Sequence, residues 1–70
     1  MDVRVRIGLN VQQIRRDCGL SQEELASRAN VHQTYLSGVE RGLRNPSALV
    51  LDRIAKAMRV DIEDLVRKRR

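Results

Sequence analysis

Residues 32–37 carry hydrogen-bonding side chains that could contact the edges of nucleic-acid bases. Gln33 can form two hydrogen bonds with N6 and N7 of adenine, and Thr34 offers a hydroxyl to either kind of base edge and a methyl group to thymine. On a helix, Ser37 lies one turn further along the same face. The predicted base-reading residues are His32, Gln33, Thr34 and Ser37, and Gly38, which has no side chain, allows a closer approach to DNA. A solvated helix face is the alternative explanation for these polar residues.

Two short amphipathic helices joined by a tight turn are expected to position this segment. Ser21 and Glu24 have the spacing of a capping box, in which each side chain accepts a hydrogen bond from the other residue's backbone N–H. Asn30 tolerates a positive φ and therefore suits the turn. The second helix is expected from about His32 to Arg41. The resulting helix-turn-helix covers about residues 21–41, and the second helix of such a motif can enter the DNA major groove.

Helical periodicity on both sides of this motif predicts a single domain over residues 1–70. Ser47 and Asp61 can cap two later helices, and the alternation typical of a strand is never sustained. The expected fold class is therefore all-α, with five short helices in a compact bundle. The first helix carries an apolar stripe of Ile7, Val11, Ile14 and Cys18. The residues expected to face inward in the other helices are Leu25, Ala26, Ala29, Leu36, Val39, Ala48, Leu51, Ile54, Ala55, Met58 and Leu65.

The charge of the chain favours an anionic partner. Fourteen Lys and Arg residues oppose nine Asp and Glu residues, which gives a net charge of +5. Nucleic acid is the first choice of partner and an acidic membrane surface the second, although codon bias is an alternative explanation for the arginine excess. Tyr35 is the single aromatic residue, so the chain lacks the stacking platform of proteins that bind RNA or single strands. Double-stranded DNA is therefore the expected partner.

Enzymatic activity is not expected. His32 is the single histidine and Cys18 the single cysteine, so neither a nucleophile–base arrangement nor a set of metal ligands can be assembled. We expect no metal, no cofactor and no small-molecule ligand. The chain also lacks an apolar run of membrane-spanning length and a signal peptide. We therefore expect a cytoplasmic protein, associated with the nucleoid if its partner is DNA.

Several segments together resemble the lambda-repressor-like family, also called the Cro-type or xenobiotic-response-element helix-turn-helix family. They are Ser-Gln-Glu-Glu-Leu-Ala at 21–26, Val31, Thr-Tyr-Leu-Ser at 34–37, Glu-Arg-Gly at 40–42 and Asn-Pro-Ser at 45–47. The resemblance implies a five-helix transcriptional regulator that binds a palindromic operator as a homodimer. Within the family, chains that end in a basic tail resemble phage Cro-like repressors and restriction–modification controller proteins, and the pattern over 34–41 is particularly similar to that of the controller proteins.

The resemblance also implies roles for residues outside the base-reading set. Arg15 and Glu40 are expected to form a structural pair between helix one and helix three. Gln22 is expected at a phosphate near the start of helix two, where its side chain could also brace Gln33. For Tyr35, partial burial and a phosphate hydrogen bond are equal alternatives. The full set of predicted phosphate-binding residues is Gln22, Tyr35, Arg41, Arg44 and Asn45.

His32 departs from the family pattern, because a Ser, Thr or Asp would usually cap helix three at that position. Either the N-cap of helix three is weak, or the His32 side chain contacts DNA.

Apolar residues beyond the needs of a small core predict a homodimer interface. They are Leu49 and Val50 in helix four and Ile62 and Val66 in helix five. A two-fold interface would place two recognition helices about 34 Å apart on one face of DNA.

RNA polymerase is an additional partner if the protein activates transcription. A protein-interaction or antitoxin-like module with the same fold is the alternative function, and the basic tail, Arg67 to Arg70, is expected to be a frayed, solvated terminus or a source of long-range attraction to DNA.

Overall fold

The computed structural model describes residues 2–69, and within this range the chain forms five α-helices and no β-strand. The helices are α1 (Val3–Asp17), α2 (Gln22–Ala29), α3 (Gln33–Glu40), α4 (Ala48–Ala57) and α5 (Ile62–Val66). The third helix packs against α1 and α2, whereas α4 packs against α2 and α5, and α5 also contacts α1. The expected all-α fold of five helices is confirmed.

Local sequence signals set the ends of the two central helices. The Ser21 hydroxyl accepts a hydrogen bond from the Glu24 backbone N–H, and Glu24 Oε1 accepts one from the Ser21 N–H, each at 3.0 Å. This backbone hydrogen bond lowers the pKa of the Glu24 carboxyl from its ordinary value. Asn30 ends α2 in the left-handed conformation, with a φ of 57°, as expected. His32 precedes α3 without a side-chain cap, so α3 begins without the stabilisation that a capping side chain gives.

The core consists of aliphatic side chains contributed by all five helices and by Leu20. Leu25, Leu36, Ile54 and Leu65 are fully buried, as their helical spacing predicts. The other buried apolar residues are Ile7, Val11, Ala26, Ala29, Val39, Leu51, Ala55 and Met58.

Two residues that were expected to face the core lie on the surface instead. Cys18 is the C-cap residue of α1 and is exposed, with its Sγ 3.8 Å from the Met58 carbonyl oxygen. Ala48 is the first residue of α4 and is also exposed. Both residues stand at the end of a helix, so the apolar stripes of α1 and α4 each face the core over one position fewer than their spacing predicts.

Gly8 allows α1 to approach the end of α3 closely. A Cβ atom at this position would lie 2.5 Å from the carbonyl oxygen of Val39 and 2.6 Å from that of Glu40. These distances are shorter than a carbon–oxygen contact allows, so α1 would have to move away from α3. The absence of a side chain at Gly8 therefore helps to set where α3 lies in the domain.

The segment after α5 folds back on α1. The buried Asn10 side chain donates from Nδ2 to the carbonyl oxygens of Leu65 (3.0 Å) and Arg67 (2.8 Å). Arg69 Nη1 in turn donates to Asn10 Oδ1 at 2.8 Å. Residues 67–69 are exposed to solvent, as expected, but the Arg67 backbone and the Arg69 side chain are attached to α1 and are not frayed. Arg70 lies outside the described residues.

Candidate nucleic-acid interface

The first turn of α3 presents polar side chains to solvent. His32, Gln33 and Thr34 are exposed, and Ser37 on the following turn is half-buried. Within residues 2–69, no side-chain hydrogen bond of Gln33 or Thr34 holds the fold together, and His32 makes no side-chain cap. Three of the four residues predicted to read bases, His32, Gln33 and Thr34, therefore lie exposed at the start of α3, and Ser37 follows them in the middle of the helix.

The other end of α3 is fixed by a buried hydrogen-bond network around Glu40. Arg15 Nε donates to Glu40 Oε2 at 2.6 Å, and Arg15 Nη2 donates to Glu40 Oε1 at 3.0 Å. The Glu40 side chain is 0% exposed and that of Arg15 is 11% exposed. Arg15 Nη1 also donates to the Leu20 carbonyl oxygen at 2.9 Å. The pair expected between helix one and helix three is present, and its geometry is the bidentate arrangement that makes Arg–carboxylate pairs strong.

Gln22 joins the same network from α2. Its Nε2 donates to Glu40 Oε1 at 3.0 Å, so the side chain does not brace Gln33 as expected. The Gln22 amide binds Glu40 instead, because a buried carboxylate is a stronger acceptor than the neutral amide of Gln33. Glu40 thus ties α1, α2 and α3 together. The backbone N–H groups at the start of α2 remain the part of this position suited to a phosphate.

Arg44 lies across the outer surface of α3. Its guanidinium carbon is 5.7 Å from the centre of the half-buried Tyr35 ring, within the range of a cation–π contact. A Cβ atom at Gly38 would lie 2.8 Å from Arg44 Cγ. Gly38 is therefore covered by Arg44, and the expectation that it brings the helix closer to DNA is wrong. Its small size instead leaves room for the Arg44 side chain.

Arg41 and Asn45 complete the predicted phosphate-binding set. Arg41 is the C-cap residue of α3, and both residues are exposed on the segment that leads to α4. They place a cationic and an amide group beyond the far end of α3, whereas the Arg44 side chain lies back over the helix. The Tyr35 ring is partly buried against the hydrophobic core, which is one of the two alternatives considered for it.

Arg53 on α4 holds the turn of the helix-turn-helix. Its Nε donates to the Ala29 carbonyl oxygen at 3.1 Å, and its Nη2 donates to the Asn30 carbonyl oxygen at 3.3 Å. The last carbonyl groups of a helix have no partners within the helix. Arg53 therefore caps α2 from outside and connects the turn to α4.

The four residues of the predicted dimer interface differ in exposure. Leu49 is 77% exposed and Val66 is 37% exposed. Val50 and Ile62 are half-buried and pack against the core. Leu49 and Val66 are therefore the residues of this set that offer the most apolar surface to a partner.

Three supporting residues were missed from the sequence, namely Gly8, Asn10 and Arg53. Asn10 lies between Ile7 and Val11 in the first helix, and a polar residue beside an apolar stripe was a usable signal. A small residue at Gly8, two turns before Arg15 on a similar face, was a weaker signal. No sequence pattern near Arg53 predicts its role, because its hydrogen-bond partners are backbone carbonyls 23 and 24 residues away.

Comparison with known proteins places this geometry in a family. The family model described as helix-turn-helix matches residues 11–65, which include both central helices and the core around them. The chain belongs to the helix-turn-helix family of DNA-binding transcription regulators. The expected resemblance and the expected regulatory class, which is not enzymatic, are thereby confirmed, and double-stranded DNA is the partner of this class.

Individual relatives of this helix-turn-helix protein are regulators by name. The chain is 44% identical over 66 residues to the uncharacterized HTH-type transcriptional regulator y4dJ of Sinorhizobium fredii, covering 94% of this chain and 86% of that protein. It is 41% identical over 66 residues to the control protein C.BamHI of Bacillus amyloliquefaciens, covering 93% of this chain and 82% of the relative.

Among solved structures, the restriction-modification controller protein C.AhdI from Aeromonas hydrophila superposes with a TM-score of 0.87 at 35% identity. The match covers 89% of this helix-turn-helix chain and 94% of C.AhdI. The similarity therefore extends over nearly the whole fold of both proteins.

None of the helices formed by residues 2–69 is both long enough and apolar enough to span a membrane. Within the same residues, no three His, Cys, Asp or Glu side chains are grouped so that they could hold a metal ion.

Proposed function

We propose that this regulator binds a palindromic operator in double-stranded DNA as a homodimer, with the first turn of α3 in the major groove. Gln33 and Thr34 would read base edges, joined by His32 and Ser37. Gln22, Tyr35, Arg41, Arg44 and Asn45 would contact phosphates on either side and set the register of the helix without reading sequence. The nucleoid is the proposed place of action.

The observation that carries this proposal is the difference between the two ends of α3. Its first turn has exposed polar side chains that do not hold the fold together, whereas Glu40 at its other end is buried in a network with α1 and α2. A helix held in this way presents its free end in a fixed orientation. Fixed orientation is what the recognition of base edges requires, because each hydrogen bond depends on direction.

The homodimer is supported by the position of Leu49 and Val66 on neighbouring helices. Both are apolar and exposed, and α4 and α5 pack against each other. Pairing two copies through this surface would bury apolar area and present two α3 helices related by two-fold symmetry. RNA polymerase is the proposed protein partner at promoters where the bound dimer activates transcription.

Selection of bound sequences from random duplex DNA at one fixed salt concentration tests this proposal. We expect enrichment of an inverted repeat whose half-sites are about one helical turn apart, 10–10.5 base pairs from centre to centre. A variant in which Gln33 and Thr34 are both replaced by Ala should lose preference at positions within each half-site. Gln13→Ala on α1 is the matched control and should enrich the same repeat as the unaltered protein.

The outcomes separate the parts of the proposal. Enrichment of a single, non-repeated site would contradict the homodimer on DNA. An unchanged repeat in the Gln33 and Thr34 double variant would contradict base reading by the start of α3. No enrichment at all, together with a tightly co-purifying protein, would favour the protein-interaction or antitoxin-like module instead.

A further inference from the structure

Asn10 is the polar residue on α1 whose side chain is most deeply buried, at 6% exposure. Its Nδ2 group donates to the carbonyl oxygens of Leu65 and Arg67, and its Oδ1 accepts from Arg69. The amide therefore uses both of its donor hydrogens and one acceptor, and all three partners belong to the C-terminal segment. A buried amide with this many partners is a specific connection between two distant parts of the chain.

The fifth helix needs such a connection because it is very short. It contains five residues, Ile62–Val66, and an isolated helix of this length is not stable in water. Its start is capped by Asp61, which accepts from the Glu63 backbone N–H at 2.9 Å. Its end has unpaired carbonyl groups, and Asn10 supplies donors to them from α1.

The two carbonyl groups that Asn10 binds lie on either side of Val66. Leu65 is fully buried, whereas Val66 is 37% exposed. Holding the backbone at residues 65 and 67 therefore restricts the direction in which the Val66 side chain points. Val66 is one of the two most exposed apolar residues on the proposed pairing surface.

We propose that Asn10 is a positioning residue for α5, and that it sets the geometry of the α4–α5 surface through which two copies pair. This inference rests on the proposed homodimer. All three side-chain hydrogen-bond partners of Asn10 lie in the C-terminal segment, and none lies on α3. It acts by holding the end of α5, so its loss alters pairing while the base-reading turn of α3 is left intact.

Asn10→Asp is the most direct test, because it keeps the size of the side chain and the Oδ1 acceptor for Arg69. It replaces the Nδ2 donor by an oxygen that faces two carbonyl oxygens. We expect the dissociation constant of the homodimer, measured by sedimentation without DNA, to rise about tenfold or more, since buried acceptors are left unsatisfied. Gln13→Ala, at an exposed position three residues along α1, should change this constant less than about twofold.

A second readout separates positioning from a general loss of stability. Sequence selection with Asn10→Asp should retain the base preference within each half-site, whereas the spacing between half-sites should become broader. A general loss of stability would lower affinity for all sites without changing the distribution of spacings. An unchanged dissociation constant and an unchanged spacing distribution would overturn the role of Asn10.

Two further measurements keep the test decisive if Asn10→Asp does not fold. Asn10→Ser retains one donor on a shorter side chain and should show the same changes in smaller degree. In the unaltered protein, the Asn10 side-chain amide protons should exchange with solvent about tenfold more slowly than those of Gln13, because they are buried and hydrogen-bonded. Equal exchange rates would overturn the contact itself.

Failure of this inference is distinguishable from failure of the homodimer. If the unaltered chain remains monomeric both alone and on operator DNA, the homodimer is wrong. If the unaltered chain dimerises and the Asn10 variants dimerise equally well, only the role of Asn10 is wrong.

Discussion

The two ends of α3 differ in how their polar side chains are used. At the start of the helix, Gln33 and Thr34 are exposed and free of contacts that hold the fold together. At its end, Glu40 is buried and accepts hydrogen bonds from Arg15 and Gln22. Eight residues therefore combine a surface that is open to a ligand with an anchor to two other helices.

This difference shows how a chain of 70 residues can orient a base-reading helix without a large core. The anchor is a charged network, and a buried network specifies one arrangement because every partner must be satisfied. Substitutions at the anchored end should therefore reduce stability, whereas substitutions at the free end should change DNA binding without reducing stability. Variants at the two ends test this separation.

The largest effect is expected for Arg15→Met. It leaves the Glu40 carboxylate buried with Gln22 as its remaining donor within the network, and removing one partner of a buried ion pair costs about 3–5 kcal/mol. Urea denaturation should show this loss in the free energy of unfolding. The neighbouring Arg16 is exposed, so Arg16→Met is the control and should change stability by less than about 0.5 kcal/mol. Equal effects of the two substitutions would show that the network does not anchor α3.

Gly8→Ala should have the next largest effect on stability. The added methyl group would meet the carbonyl oxygens of Val39 and Glu40, and overpacking of this kind costs about 1–3 kcal/mol. Gly38→Ala is the matched comparison on α3, because its methyl group would meet the flexible Arg44 side chain. Thermal denaturation should show a lower midpoint for Gly8→Ala than for Gly38→Ala, and the reverse order would contradict the close approach of α1 to α3.

Gln33→Ala should affect DNA binding and not folding. We expect a loss of about 1–3 kcal/mol on the selected operator and a relaxed preference at one base position in each half-site. The midpoint of thermal denaturation should be unchanged, because the side chain is exposed. Fluorescence anisotropy with operators altered one position at a time measures the preference. Uniform weakening across all these operators would remove Gln33 from the base-reading set.

Arg44→Ala should weaken binding to every sequence alike. The slope of the logarithm of affinity against the logarithm of salt concentration should fall by about one unit, since one phosphate contact is lost. Lys56→Ala is the charge-matched control on α4, where Lys56 pairs with Asp52 at 2.9 Å. An identical slope for the Arg44 variant and the unaltered protein would exclude Arg44 from the phosphate contacts.

The smallest effect is expected for His32→Ser at the start of α3. A serine can cap the helix where His32 does not, and a good N-cap contributes about 0.5–2 kcal/mol. Stability should therefore increase while the preference for bases at one position changes. Increased stability with unchanged base preference would show that His32 does not read bases.

The sequence predicted the helices well because their signals are local. Capping boxes, a left-handed Asn30 and apolar residues at helical spacing each involve residues within a few positions of one another. Arg15 and Glu40 could be paired from the sequence because the resemblance to a family supplied a long-range contact that no local pattern contains.

What could not be predicted depends on contacts between distant segments. Gln22 was expected to brace Gln33, but the buried carboxylate of Glu40 is the stronger acceptor. Asn10 binds backbone carbonyls 55 and 57 residues away, and backbone partners leave no trace in the types of the residues that provide them. The roles of the exposed residues in DNA binding remain predictions, because they concern a ligand.

The hydrogen bonds from Arg53 to Ala29 and Asn30 have a mechanical consequence for operator choice. They join α4, which carries part of the proposed pairing surface, to the turn that leads into α3. In the proposed homodimer the two α3 helices would therefore be held at a fixed distance from each other and in a fixed relative orientation. Inserting one base pair between the half-sites would rotate one half-site relative to the other by about 35° around the DNA axis. Two α3 helices in a fixed relative orientation cannot follow that rotation, so the affinity of the homodimer would depend on the spacing of the half-sites as strictly as on their bases.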